Sequence, residues 1–153
     1  MATPEYSRLL GEIYDRQADT IFRICRMYMK NHQDAADMVH NTFLALLKKQ
    51  KAFESEEHEK SWLIKVAVNM CKNELKRSSR KDKELSEAEN MASSHEDSVM
   101  PLVLQLPAEL KVPTYLHYYE GYRSEEIGKM LGISASAVRT RLQKAREKLK
   151  ESL

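Results

Sequence analysis

Apolar residues recur every three to four positions through most of this chain, and a few polar points interrupt them. From 6 to 29, Leu9, Leu10, Ile13, Tyr14, Ala18, Ile21, Phe22, Cys25 and Met29 form one stripe, which predicts a long amphipathic helix. The polar residues 31–34 break it. Asp34 stands where it can cap a second helix over 35–49, with Ala36, Val39, Phe43, Leu46 and Leu47 facing inward. Lys48 and Lys49 at its end complement the helix dipole. Residues 53–60, FESEEHEK, read as a solvated acidic loop. Ser61 then caps a third long helix, whose inner face is Trp62, Leu63, Val66, Ala67, Met70, Cys71 and Leu75.

The periodicity lapses from 78 to 98, where large apolar residues are few and the composition does not bury enough surface to fold alone. It resumes as a short helical turn over 99–106. Pro107 opens a helix to about 120, and Val112, Tyr115, Leu116 and Tyr119 form its apolar face. Pro113 lies inside that helix and predicts a kink, because it lacks the N–H of the backbone ladder. Gly121 ends the helix.

The stretch 124–149 predicts a helix-turn-helix. Ile127, Met130 and Leu131 line a first short helix. Gly132 stops it, since glycine takes the left-handed backbone without steric cost. Ile133 fills the gap between the two helices, and Ser134 caps the second. Val138, Leu142, Ala145 and Leu149 then repeat at four, three and four. Gly128, one turn before Gly132, leaves room for close approach. The opposite face of the second helix carries Ser136, Arg139, Thr140 and Gln143, and Arg and Gln are shaped for paired hydrogen bonds to guanine and adenine edges. Arg141, Lys144, Arg146 and Lys148 flank it with positive charge suited to phosphates.

Charge sharpens this picture. The net charge of the 153 residues is only +2, but it is segregated. From Ala135 onward six Lys/Arg face Glu147 and Glu151. From Lys65 to Lys83 seven face Glu74 and Asp82, whereas 84–97 holds five acids and no Lys or Arg. Two basic helices in separate units suggest a duplex touched in two places. The expected architecture is all-α: two small helical domains, 1–80 and 99–153, joined by a flexible acidic linker at 81–98.

Other chemistries find no support in the sequence. Cys25 and Cys71 sit in apolar stripes without a CxxC spacing, so they read as reduced core thiols of a cytoplasmic protein. The five histidines form no HExxH-like pair, and no Gly-rich phosphate loop or Ser/His/Asp set occurs. The expectation is therefore a non-enzyme with no metal, no cofactor and no membrane insertion. The mean hydropathy of −0.61 and the lack of an apolar run of about 18 residues agree, and the opening residues lack the basic-then-apolar pattern expected of a signal peptide.

The chain resembles the bacterial RNA polymerase sigma factors of the extracytoplasmic-function class, over nearly its whole length. Residues 34–47 read DAADMVHNTFLALL, similar to that family's DAEDLVQETFLRLW. Residues 62–69 read WLIKVAVN, similar to its W-L-x-x-I-A-x-N helix. Leu106-Pro107, then YYEG at 118–121 and SEEIGKMLGIS at 124–134, resemble the opening and the helix-turn-helix of its fourth region. No third-region domain fits between them, as in the minimal members of the class.

The resemblance implies a division of labour. Asp37, Met38, Asn41 and Phe43 would dock on the β′ clamp helices of core RNA polymerase, and the C-terminal domain would meet the β flap. Phe53, Trp62, Asn69, Lys72, Asn73, Lys76 and Arg77 would hold the promoter element near the start site, where the family flips a base out of the duplex. Ser136, Arg139, Thr140, Arg141, Gln143, Lys144 and Arg146 would read the more distant element. An anti-sigma factor is the further implied partner. The chain departs from the family at His40-Asn41, where a Gln-Glu pair is usual, and at Asn73, where Asp is usual. A stand-alone helix-turn-helix regulator with an N-terminal sensing or dimerisation domain is the alternative, and binding to core polymerase separates the two.

Overall fold

The computed structural model describes residues 4–49, 52–81 and 100–152, and these form seven helices. They fall into two compact units, one of α1 to α3 and one of α4 to α7. Among the described residues there is no strand, and no helix is long and apolar enough to cross a membrane. The linker expected at 81–98 lies outside the described residues from 82 onward.

The first unit is a three-helix bundle of α1 (Pro4–Tyr28), α2 (His32–Lys49) and α3 (Glu56–Lys81). Its core is Ile13, Ile21, Ile24, Cys25 and Met27 from α1, Ala35, Met38, Val39 and Leu46 from α2, and Leu63, Ile64, Ala67, Val68 and Cys71 from α3. Both cysteines are free and buried. A hydrogen bond with Cys25, together with burial, pushes the Cys71 thiol well above its usual range and keeps it protonated.

Several expectations need correction here. First, α2 begins at His32, and its cap is Asn31 rather than Asp34: the Asn31 Oδ1 accepts the Asp34 N–H at 2.8 Å. Second, α2 is turned from the predicted stripe. Ala35, Met38 and Thr42 face inward, while Leu47 is exposed. The inward threonine is tolerated because its hydroxyl donates to the Met38 carbonyl at 2.7 Å. Third, 53–60 is not a loop throughout. Ser55, not Ser61, caps α3, with its Oγ accepting the His58 N–H at 3.0 Å. Glu56, Glu57 and Glu59 then fill the first turn, where the helix dipole favours acids. Tyr14 and Leu75 also stand at the surface rather than in the core.

Glu59 is the most consequential of those acids, because it is buried at 4% exposure. Its carboxylate accepts from Arg16 Nη2 at 2.9 Å and from the buried Gln17 Nε2 at 3.1 Å. That pairing fastens the start of α3 to α1 and holds the Arg16 guanidinium above its already high range. Removing the carboxylate leaves the Gln17 amide without this acceptor. Glu59→Ala should therefore lower the stability of the first unit by about 2 kcal/mol, the order of an unmade buried hydrogen bond. Thermal melting of the full chain checks this. An unchanged melt would reduce the cluster to an ordinary surface ion pair.

The second unit contains α4 (Met100–Leu104), α5 (Ala108–Tyr118), α6 (Ser124–Leu131) and α7 (Ala135–Ser152). Val103, Leu106, Leu110 and Ala145 pack together, with Leu149 against them. Helix α5 runs continuously through Pro113, which is buried. Thr114 beside it donates to the Leu110 carbonyl at 2.7 Å. Gly121, at φ 78°, ends the segment after α5.

Candidate nucleic-acid interface

The helix-turn-helix follows from local chemistry. Glu126 accepts the backbone N–H of Arg123 at 3.0 Å and starts α6. That hydrogen bond holds its carboxyl below the usual range. Gly132 closes α6 at φ 72°, and the Ile133 N–H donates to the Gly128 carbonyl at 3.0 Å. Ser134 Oγ accepts the Ala137 N–H at 3.0 Å and starts α7. Ile127, Met130 and Leu131 of α6 and Val138 and Leu142 of α7 are all buried as expected, and the two helices pack together.

On the outer side of α7, Ser136, Arg139, Thr140, Gln143, Lys144 and Arg146 are exposed and Arg141 is half-buried. Two of the arginines are already engaged. Arg139 Nη1 lies 3.5 Å from a carboxylate oxygen of Glu125 on α6. Arg146 Nη1 donates to the exposed Tyr118 hydroxyl at 3.0 Å. Sequence spacing did not reveal Tyr118 as a neighbour of that helix, because the two residues are 28 positions apart.

In the first unit, Asn69, Asn73 and Lys76 are exposed on α3, with Trp62 and Lys72 half-buried. Lys65, the first of the basic residues of this helix, is exposed among them and extends this face. At the head of α3 an aromatic cluster forms. The Phe53 ring lies 5.6 Å from Trp62 and 5.3 Å from His58, centroid to centroid. Lys49 Nζ sits 4.2 Å above the Phe53 ring. Early capping by Ser55 creates this cluster, since it places His58 and Trp62 one turn apart on the same helix. A hollow of about 250 Å³ opens beside Phe53, edged by Tyr6, Arg16, Ser55 and Glu56.

The four residues expected to meet polymerase do not share one surface. Asp37 and Asn41 are exposed, Phe43 is half-buried against Tyr14 at 4.9 Å, and Met38 is core at 7% exposure. Leu44, unmarked in the sequence reading, is 41% exposed one turn beyond Asn41. Arg77, one turn beyond Asn73 on α3, also borders α2. It pairs with Glu74 at 2.8 Å and borders a hollow of about 280 Å³ shared with Asp34, Asp37, His40 and Asn41. Among the described residues, no three His, Cys, Asp or Glu side chains gather to hold a metal ion.

Two helical units, each with an exposed basic helix and one with a capped helix-turn-helix, define a protein that binds nucleic acid. The family is settled by similarity. Residues 13–81 match the model of sigma-70 region 2, and residues 97–149 match that of sigma-70 region 4. The chain belongs to the sigma-70 family, and within it to the extracytoplasmic-function class of sigma factors, which direct promoter recognition by RNA polymerase. It is 26% identical to the sigma factor SigE of Mycolicibacterium smegmatis over 93% of this chain, though it spans only 60% of that protein. It is 23% identical to SigW of Bacillus subtilis, covering 94% of this chain and 88% of the relative. CarQ of Myxococcus xanthus is 25% identical, at 93% and 87%. The sigma factor RpoE of Bartonella quintana, solved in complex with the anti-sigma factor NepR, has the same fold. Its TM-score is 0.76 at 18% identity, covering 97% of this chain and 96% of that one.

Proposed function

We propose that this chain binds core RNA polymerase through α2 and reads a bipartite promoter with α3 and α7, opening the duplex near the start site without chemistry of its own. The observation that carries this reading is the pair of exposed basic helices in two separately packed units. Residues 1–80 form the polymerase and start-proximal domain, 99–153 the distal-element and β-flap domain, and 81–98 the linker between them.

At the start-proximal element, Asn69, Lys72, Asn73 and Lys76 follow the backbone, joined by Lys65. Phe53 and Trp62, with Lys49 beside them, offer a stacking surface for an unstacked base. Extruding that base costs a few kcal/mol, and holding both promoter and polymerase offsets it. At the distant element, Ser136, Arg139, Thr140 and Gln143 face base edges, while Arg141, Lys144 and Arg146 face phosphates. The polymerase face of α2 is the row Asp37, Asn41, Leu44 and Lys48, at i, i+4, i+7 and i+11, with Arg77 beside it. Met38 drops out because it is core, and Phe43 supports the row from behind. An anti-sigma factor would hold this chain inactive, as the Bartonella relative is bound by one.

Transcription from a promoter library by core polymerase, with and without the chain, tests the reading. Specific start sites should appear only with it. If core polymerase ignores the chain while the chain alone binds duplex tightly, a stand-alone regulator replaces this proposal. Arg139→Ala should weaken discrimination at the distant element by roughly tenfold to a hundredfold, the range of one paired base contact. Core-polymerase binding should survive. If both fell together, the placement of α7 would be wrong.

A further inference from the structure

We infer that Glu125 is a positioning residue for promoter selectivity, acting through Arg139 on the neighbouring helix. The inference rests on the reading of α7 as the element that faces DNA. Two adjacent glutamates open α6, and the structure gives them different work. Glu126 is occupied by Arg123, accepting from its backbone N–H at 3.0 Å and its Nε at 3.3 Å. Glu125 instead reaches across the turn to Arg139, with Oε1 and Nη1 3.5 Å apart. Both side chains are well exposed, at 62% and 59%. An ion pair in that setting contributes little to stability, so its value lies in orientation.

Arg139 is in the first turns of α7, where a recognition helix presents side chains to base edges. A single contact through Nη1 leaves Nε–H and the Nη2 hydrogens free, and those still form a fork for a guanine edge. Glu125 thereby restricts where the fork points before DNA arrives. It also sets a carboxylate beside the groove, where phosphates repel it. That repulsion weakens binding at any sequence, and only a base that accepts both Arg139 donors restores the loss. The pair therefore lowers non-specific affinity more than specific affinity, which is how discrimination is gained.

The test uses the full chain assembled with core polymerase, and a duplex library randomised across the distant element. Glu125→Ala should flatten the preference at the same base pair that Arg139→Ala flattens, by roughly tenfold, and should strengthen binding to a scrambled duplex. Glu125→Gln, which keeps an acceptor for Nη1, should recover part of that preference. In the Arg139→Ala background, Glu125→Ala should add nothing at that position. Thermal melting of each variant separates this from loss of the helix start, which would flatten every position together. The inference is overturned if Glu125→Ala keeps the wild-type preference, flattens all positions equally, or has its full effect without Arg139. If the unaltered holoenzyme shows no preference at all in this element, the DNA-reading role of α7 falls first and carries the inference with it.

Discussion

Gly128→Val should strongly destabilise the helix-turn-helix unit of the full chain while the three-helix unit keeps its own melting transition. A Cβ at position 128 would lie 2.6 Å from the Ile133 carbonyl oxygen, and 3.4 Å from the Ala135 nitrogen and the Ser134 carbonyl carbon. All three are backbone atoms of the turn that sets α6 against α7. They cannot swing aside as a side-chain tip does, so the turn itself must move. Gly132 and Ser134 hold that turn from either side, through the left-handed backbone at φ 72° and the cap on Ala137. Overpacking in a well-fitted site costs about 1–3 kcal/mol, and valine adds two further methyls, against which its slightly better helix propensity than glycine's returns only a few tenths. A unit of this size has only about 3–8 kcal/mol in reserve, from the usual stability per residue. Gly128→Ala should be milder, because alanine regains about 1 kcal/mol of helix propensity over glycine. Thermal unfolding monitored by circular dichroism should show the second transition lowered strongly for valine and less for alanine. A valine variant that melts like the parent would mean that the close approach at Ile133 is not required.

The turn was legible because its determinants are local. Gly128, Gly132, Ser134 and the apolar positions on either side lie within 25 residues and agree on one geometry. Register within the first unit was harder to read. Thr42 looks polar in the sequence, yet it is fully buried once its hydroxyl has bonded to its own helix. Counting it as surface moves the inferred stripe of α2 toward Phe43 and Leu47 and leaves Met38 outside. The start of α3 had a usable signal that was misread. A serine followed by glutamates in the first turn suits a helix dipole as well as it suits a loop. The burial of Glu59 had no local signal, because its partners Arg16 and Gln17 lie 43 and 42 residues away. The same limit applies to the sites. Exposed side chains on a single helix were readable, but the Lys49–Phe53–Trp62 cluster, the Tyr118–Arg146 contact and the neighbours of Arg77 depend on packing between elements.

That packing leads to the second large effect, on polymerase binding. Leu44→Asp should weaken binding of core polymerase at least roughly thirtyfold, the about 2 kcal/mol of an interface hot spot. A solitary exposed leucine is ordinary. Here it is flanked along one side of α2 by Asp37 and Asn41, and Lys48 completes the row. An apolar centre bordered by polar groups is the composition of a protein interface rather than of a solvated helix face. Because Leu44 is already exposed, aspartate there should leave the melting of the first unit nearly unchanged, so weaker binding would report contact. Met38→Ala is the contrast. It should cost about 2–4 kcal/mol of stability through a core cavity, and any effect on binding should follow that unfolding. Arg77 decides how far the face extends. It stands one turn beyond Asn73 on α3 and also borders the hollow lined by Asp37 and Asn41, at the seam between the two faces. Arg77→Glu should therefore reduce polymerase affinity more than it reduces the affinity of preformed holoenzyme for an already melted promoter. Lys76→Glu should do the reverse, because that side chain is exposed with Asn69 and Asn73, the α3 residues proposed to follow DNA. If Leu44→Asp binds polymerase like the parent, the docking face lies elsewhere. If Arg77→Glu behaves like Lys76→Glu, the basic face of α3 wraps further round the helix than its packing against α2 implies.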